Sequence, residues 1–232
     1  MVFAQNFLYA HWKRISNKRR GIFMDEDKKI LGYYDYTVIL TYVGMLFGFM
    51  GLTLAAGEKF GSAAVCLMIS GVCDMFDGAV ASTKSRSKNE RKFGIQIDSL
   101  SDLICFGALP AMFVYKISSE SAAGFVIASV YALCALIRLA YFNVCEEERQ
   151  ENEKGGRQCY IGLPVTSAAL VIPAIYLFTE RAPFFLATLT VMAALFLSPI
   201  KIKKPKIAGK IVIAAAGILE LSFVVIGAIG GV

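Results

Sequence analysis

Four aspartates, Asp74, Asp77, Asp98 and Asp102, each interrupt an otherwise apolar run. Carboxylates inside hydrocarbon-spanning segments are costly and mark ion or substrate sites. Asp74 and Asp77 are three positions apart, and Asp98 and Asp102 are four apart. These spacings put each pair on one face of a helix. The two runs are consecutive and joined by a short connection, so the two acidic faces are expected to meet around one pocket. Close carboxylates in a low dielectric must either take up protons or hold cations. Hard oxygen donors select Mg²⁺, Mn²⁺ or Ca²⁺ over zinc. Two divalent ions match four negative charges, and paired metals serve phosphoryl transfer. The purely structural reading pairs the aspartates with Arg138 or loop lysines, but Arg138 is the one arginine inside an apolar run. Gly78, Ala81 and Gly94 lie four positions from Asp74, Asp77 and Asp98 respectively. Small residues on those faces leave room for a bulky ligand or allow close helix packing, and spacing leaves both open.

The elements that must position these residues are membrane helices. Of 232 residues, 56% are hydrophobic, above the usual soluble range. Seven runs are long enough to cross a bilayer: about 37–56, 60–82, 95–116, 121–144, 161–179, 182–200 and 208–230. Runs of this length fit helices rather than the shorter strands of a barrel. Lys and Arg number 7 before the first run, then 1, 5, 1, 3, 1 and 5 in or beside successive connections. Basic connections stay cytoplasmic. This places the N-terminus, the connections 83–93, 145–160 and 201–207, and the acidic pocket on the cytoplasmic side. Phe3, Phe7, Leu8 and Trp12 precede a basic cluster, as in an amphipathic helix lying on a membrane surface. The connection 145–160 reads as a solvated loop. The net charge of +6 therefore reflects topology and anionic lipid headgroups. No aromatic-interleaved basic patch points to nucleic acid. The six cysteines lack metal spacing, and the single histidine, His11, lies in the N-terminal segment.

The aspartates fall in two blocks, DMFDGAVAS (74–82) and GIQIDSLSD (94–102). Together these resemble the signature of the CDP-alcohol phosphotransferase family: D-x-x-D-G-x-x-A-R, a loop, then G-x-x-x-D-x-x-x-D. IDSLSDLICFGALPA (97–111), IRLAYFNV (137–144) and YIGLPVT (160–166) resemble its phosphatidylserine synthase branch. The resemblance implies an all-α polytopic bundle with a six-helix core over 36–200. Around that core stand an interfacial segment at 1–35 and an added basic loop and span at 201–232. It implies transfer of a phosphatidyl group from CDP-diacylglycerol to L-serine in the cell membrane, by a homodimer using two Mg²⁺ or Mn²⁺ ions. Asp74, Asp77, Asp98 and Asp102 would hold the metals, with Asp102 also the general base. Gly78, Ala81 and Gly94 would line the nucleotide pocket.

Two departures stand out. Ser82 occupies the place of the motif arginine, and the stretch 83–93 is longer than the family's usual loop. Lys84 or Arg86 can restore the missing charge. For serine, Arg138 can clamp the carboxylate or snorkel to the interface. Asn143, Thr166 and Ser167 can line the same cavity. Glycerol 3-phosphate or inositol phosphate would be the alternative acceptors and would demand more cations. A cation-coupled transporter is the reading from another class, and it would require duplicated halves.

Overall fold

The computed structural model describes residues 32–151, 159–203, 217 and 219–225. The interfacial helix expected within 1–35 and most of the last span therefore lie outside the described residues. The described chain is helical: α1 (Tyr36–Ala56), α2 (Phe60–Ala81), α3 (Lys88–Asp102), α4 (Leu109–Ile117), α5 (Ala122–Glu151), α6 (Ala168–Phe178) and α7 (Ala182–Phe196). Residues 219–225 are also helical, and Val224 is buried. Among the described residues the only strands are two of three residues, β1 (Cys159–Ile161) and β2 (Lys201–Lys203), antiparallel with Tyr160 opposite Ile202.

Among the described residues, four helical stretches are long and apolar enough to cross a membrane: Tyr36–Ala56, Phe60–Ala81, Lys88–Ile117 and Ala122–Arg149. Val165–Phe178 and Ala182–Phe196 are shorter apolar helices. Large apolar side chains such as Leu46, Phe49, Met75, Phe76, Phe125, Leu133 and Val191 are exposed. A helix apolar on its outer face as well as its inner one suits lipid, and we read the chain as a multi-pass membrane protein.

Boundaries differ from the sequence expectation in three places. The third helix begins at Lys88, not near residue 95. Ser87 caps it reciprocally with Glu90: Glu90 N–H donates to Ser87 Oγ (3.2 Å) and Ser87 N–H to Glu90 Oε2 (2.7 Å), a capping box. Asp98 and Asp102 thus sit in the later turns of α3 rather than its first. α5 continues through the acidic triplet to Glu151, where a loop was expected. The Arg149 guanidinium pairs with Glu146 one turn back, as helical spacing allows. The fifth run begins outside helix: β1, the buried Gly162 and a 3₁₀ turn at Val165–Ser167 precede α6. Gly162 has φ +72°, a left-handed value that suits glycine. Its N–H donates to the Ile200 carbonyl at 2.7 Å.

α1 builds the wall that joins the two aspartate helices. It packs extensively on α2 and also touches α3 and the turn after it, whereas α2 and α3 barely contact each other. Gly44, Gly48 and Gly51 form the contact stripe. A Cβ at Gly44 would lie 3.1 Å from Cys73 Cβ, and one at Gly51 2.9 Å from Cys66 Cβ. Gly48 abuts Cys105 so closely that a Cβ there would clash with its sulfur. Small residues permit this approach.

Between Asp102 and Leu109 the helix widens into a π turn, Leu103–Ala108. Such turns leave the backbone ladder incompletely paired and cluster at functional sites. The buried Tyr131 hydroxyl of α5 donates to the Phe106 carbonyl at 2.7 Å, tying the widened turn to the core.

Candidate active site

The last turns of α2 and the later turns of α3 bring three of the four aspartates together. One carboxylate oxygen from each of Asp74, Asp77 and Asp98 lies within 4.8 Å of the other two. Among the described residues no other group of His, Cys, Asp or Glu meets that condition. Asp102 falls outside this set. It follows Asp98 by one turn at the end of α3. The structure therefore assembles a three-carboxylate cluster with a fourth acid deeper beside it.

The cluster is supported from α1. Buried Thr41 donates its hydroxyl to Asp77 Oδ2 at 3.1 Å. Buried Ser101, one residue before Asp102, donates to the Thr41 carbonyl at 3.4 Å, which ties α3 to the same point. Thr41 was not singled out in the sequence. A hydroxyl in an apolar run often bonds only its own helix, so its type and position carry little signal.

Asp98 Oδ1 is buried and has no hydrogen-bond partner in the protein. An anionic oxygen in that state is costly, and it fits a site built for a cation. Three convergent carboxylates are hard donors of the kind Mg²⁺ and Mn²⁺ take. The residues present therefore fit a divalent ion held by Asp74, Asp77 and Asp98.

The small residues divide in their roles. Gly78 is exposed, and a Cβ there would meet nothing within 4 Å. It faces open space rather than a packed helix. Ala81 is half-buried in the same last turns of α2. Gly94 is different: a Cβ would sit 2.9 Å from Arg86 Nη1, so the arginine lies across the glycine.

The connection from α2 to α3 is ordered by its own polar groups. Ser82 turns its hydroxyl back to the Ala79 carbonyl at 2.6 Å. Lys84 reaches away to Asp35 Oδ2 at 2.7 Å and to Glu90 Oε1 at 3.6 Å. The Tyr36 hydroxyl and Thr83 Oγ1 are 3.1 Å apart. Of the two loop cations expected to restore the missing charge, Lys84 is paired with Asp35 and Glu90.

The residues expected to select serine lie in two places. Asn143 bridges toward the cluster's helix: Ser99 donates to its Oδ1 at 2.6 Å, and its Nδ2 donates to Gln96 Oε1 at 3.3 Å. Gln96 in turn donates to Glu147 Oε1 at 3.3 Å. This chain of bonds locks α3 to α5 on either side of Asp98, and the sequence reading missed Gln96 and Ser99. Arg138 is buried earlier on α5 and donates to the Phe196 carbonyl at 3.4 Å. A Cβ on Gly162 would lie 2.7 Å from its Nη1. Thr166 and Ser167 are half-buried in the 3₁₀ turn, where Ser167 donates its hydroxyl to the Pro164 carbonyl at 2.7 Å.

The profile of CDP-alcohol phosphatidyltransferases matches residues 36–200, the stretch that contains the cluster, its α1 wall and the Arg138 region. The chain belongs to the CDP-alcohol phosphatidyltransferase family. Among curated CDP-alcohol phosphatidyltransferase relatives, an archaetidylserine synthase of Methanothermobacter thermautotrophicus is 29% identical over 66% of this chain and 63% of the relative. A CDP-diacylglycerol–serine O-phosphatidyltransferase of Saccharomyces cerevisiae is 34% identical over 58% of this chain and 52% of the relative. One of the same name from Helicobacter pylori is 26% identical over 82% of each chain. The match thus spans under two thirds of the first two relatives and most of the third.

Proposed function

We propose that this chain transfers a phosphatidyl group from CDP-diacylglycerol to the hydroxyl of L-serine, giving phosphatidylserine and CMP. The observation that carries the reading is the meeting of Asp74, Asp77 and Asp98 within 4.8 Å around a buried, unpartnered Asp98 oxygen. The names of the relatives favour serine as the acceptor.

Asp74, Asp77 and Asp98 would hold one or two Mg²⁺ or Mn²⁺ ions, with Asp102 completing the set. When bound, such ions offset the charge of the pyrophosphate and of the departing CMP. Thr41 fixes the orientation of Asp77, and the Asn143–Ser99–Gln96 bonds fix α3. Asp102 accepts the serine hydroxyl proton as the hydroxyl oxygen forms its bond to the phosphatidyl phosphorus. The bond from that phosphorus to the CMP oxygen breaks. A positioned carboxylate base contributes about 10²–10⁴-fold. Gly78 and Ala81 leave space for the nucleotide, and the acyl chains stay in lipid beside the bundle. Arg138 and Thr166 receive the serine carboxylate, with Asn143 contributing through the helix it holds. The protein works as a six-helix core with an added C-terminal span, as a homodimer in the cell membrane, with the cluster open to the cytoplasm.

Purified protein in detergent, given CDP-diacylglycerol, Mn²⁺ or Mg²⁺ and labelled serine, should yield labelled lipid and an equal amount of CMP. Label entering lipid from glycerol 3-phosphate or inositol phosphate but not from serine would move the acceptor. No lipid product with any of the three would overturn the transferase reading.

A further inference from the structure

We propose that Arg86, laid over Gly94, is the cation that receives the donor's pyrophosphate, and that Lys84 is a positioning residue that holds its loop. The proposal rests on the transferase reading for the identity of the donor. It uses no assumption about the acceptor.

A dianionic pyrophosphate entering beside three carboxylates needs a cation from the protein as well as bound metal. Ser82 brings no charge to the end of α2, and its hydroxyl is spent on the Ala79 carbonyl. Lys84 is drawn to Asp35 and Glu90. Arg86 reaches one turn further along α3, to Gly94. Its guanidinium lies against the face of Gly94, with Nη1 2.9 Å from where a Cβ would be. Gly94 stands one turn before Asp98 on α3. Arg86 therefore projects a planar, two-pronged donor to the rim of the carboxylate cluster, a geometry suited to phosphate oxygens. A side chain at position 94 would occupy the surface on which the guanidinium rests.

The loop is held from both sides of Arg86. Lys84 is anchored at Asp35, ahead of α1, and Ser87 is fixed as the cap of α3. The Arg86 carbonyl accepts from Arg91 Nε at 3.1 Å. The longer loop thus supplies from its fifth position past Ala81 the charge that Ser82 lacks.

The test measures binding of CDP, with Mn²⁺ present, to the detergent-solubilised full chain, and the KM for CDP-diacylglycerol where turnover is seen. Arg86→Gln should weaken CDP binding about 10- to 100-fold and raise the KM similarly, with a smaller change in kcat. Ser82→Arg alone should shift CDP binding less than about threefold, yet in the Arg86→Gln background it should recover most of the loss, which a misfolded variant could not do. Lys84→Ala should weaken binding less than Arg86→Gln, and Lys84→Arg should restore it. Equal CDP affinity of the wild-type chain and Arg86→Gln would overturn the proposal, as would a loss that Ser82→Arg fails to recover. A wild-type chain that binds CDP through Arg86 but makes no phosphatidylserine would support this assignment and overturn the acceptor instead.

Discussion

At the scale of single residues, Asp98 concentrates the argument. Its buried Oδ1 has no protein partner, a state that is unfavourable for an anion and reversed by a cation. Asp98→Asn should therefore lower turnover by at least about 10³-fold, a loss of the size expected when transition-state charge stabilisation is removed. The variant should melt no lower than the wild type without metal, because it removes one acid from a crowded acidic cluster that has no cation to balance it. Adding Mn²⁺ should raise the melting temperature of the wild type and leave the variant unchanged, since only a ligand that binds the folded state stabilises it. A thermal shift series with and without Mn²⁺ checks all three. The aspartates were legible because charge in an apolar run has few innocent explanations. Thr41 was not, because its hydroxyl can be satisfied locally. Asn143 was read as a substrate contact, and the structure adds bonds from its amide to Ser99 and Gln96. Nothing in one sequence tells a side chain that meets a ligand from one that braces the helix beside it.

At the scale of elements, the apolar runs were visible but their ends were not. Hydropathy reports where a helix meets lipid. It is blind to a polar turn such as Lys88–Gly94 extending α3 beyond the membrane under its own cap. It also cannot see the π turn, which depends on one residue too many between two packed faces. The start of α1 carries a pH dependence. Asp35 caps it by accepting from Thr37 N–H at 2.9 Å. The hydrogen bond from Lys84, then that from the Thr37 hydroxyl, hold the Asp35 carboxyl down at about 2, from an ordinary 3.8. A depressed carboxyl stabilises the fold fully above its unfolded value, and loses that contribution as pH falls through 3.8 toward 2. Asp35→Asn retains the cap but not the charge. Its stability deficit, expected within about 1 kcal/mol for an exposed pair, should be present at pH 6 and shrink below pH 3. Denaturation midpoints of both proteins across that range measure it.

At the scale of the whole molecule, the exposed apolar girdle and the alternating basic connections make one statement about orientation. Ser85, in the exposed α2–α3 connection, and Arg181, exposed at the start of α7, should lie on opposite sides of the membrane. In a cysteine-free background, Ser85→Cys should react with an impermeant maleimide only from the cytoplasmic side, and Arg181→Cys only from the other. Reaction of both from one side would invalidate the topology and the cytoplasmic placement of the cluster. The multi-pass membrane character was readable from composition because lipid demands long apolar runs directly. The small β1–β2 clasp was not, since its residues KIK and CYI hold no pattern at all until a distant stretch of chain arrives to pair with them.

The widened turn at Leu103–Ala108 sets the rotational phase between two halves of one long helix. Each residue in an α-helix advances the side chains by about 100°. Removing one residue from this segment would restore a regular helix, and one half would have to swing relative to the other. The lower half is pinned by the close contacts at Gly48 and Gly51 and by the oxygen of Tyr131, whereas side-chain bonds of Gln96, Ser99 and Ser101 hold the half that carries Asp98 and Asp102. The swing would break those bonds and fall on that half. Such a deletion should yield a protein that inserts and folds yet binds no Mn²⁺, its acids aimed past one another like the teeth of a mistimed gear.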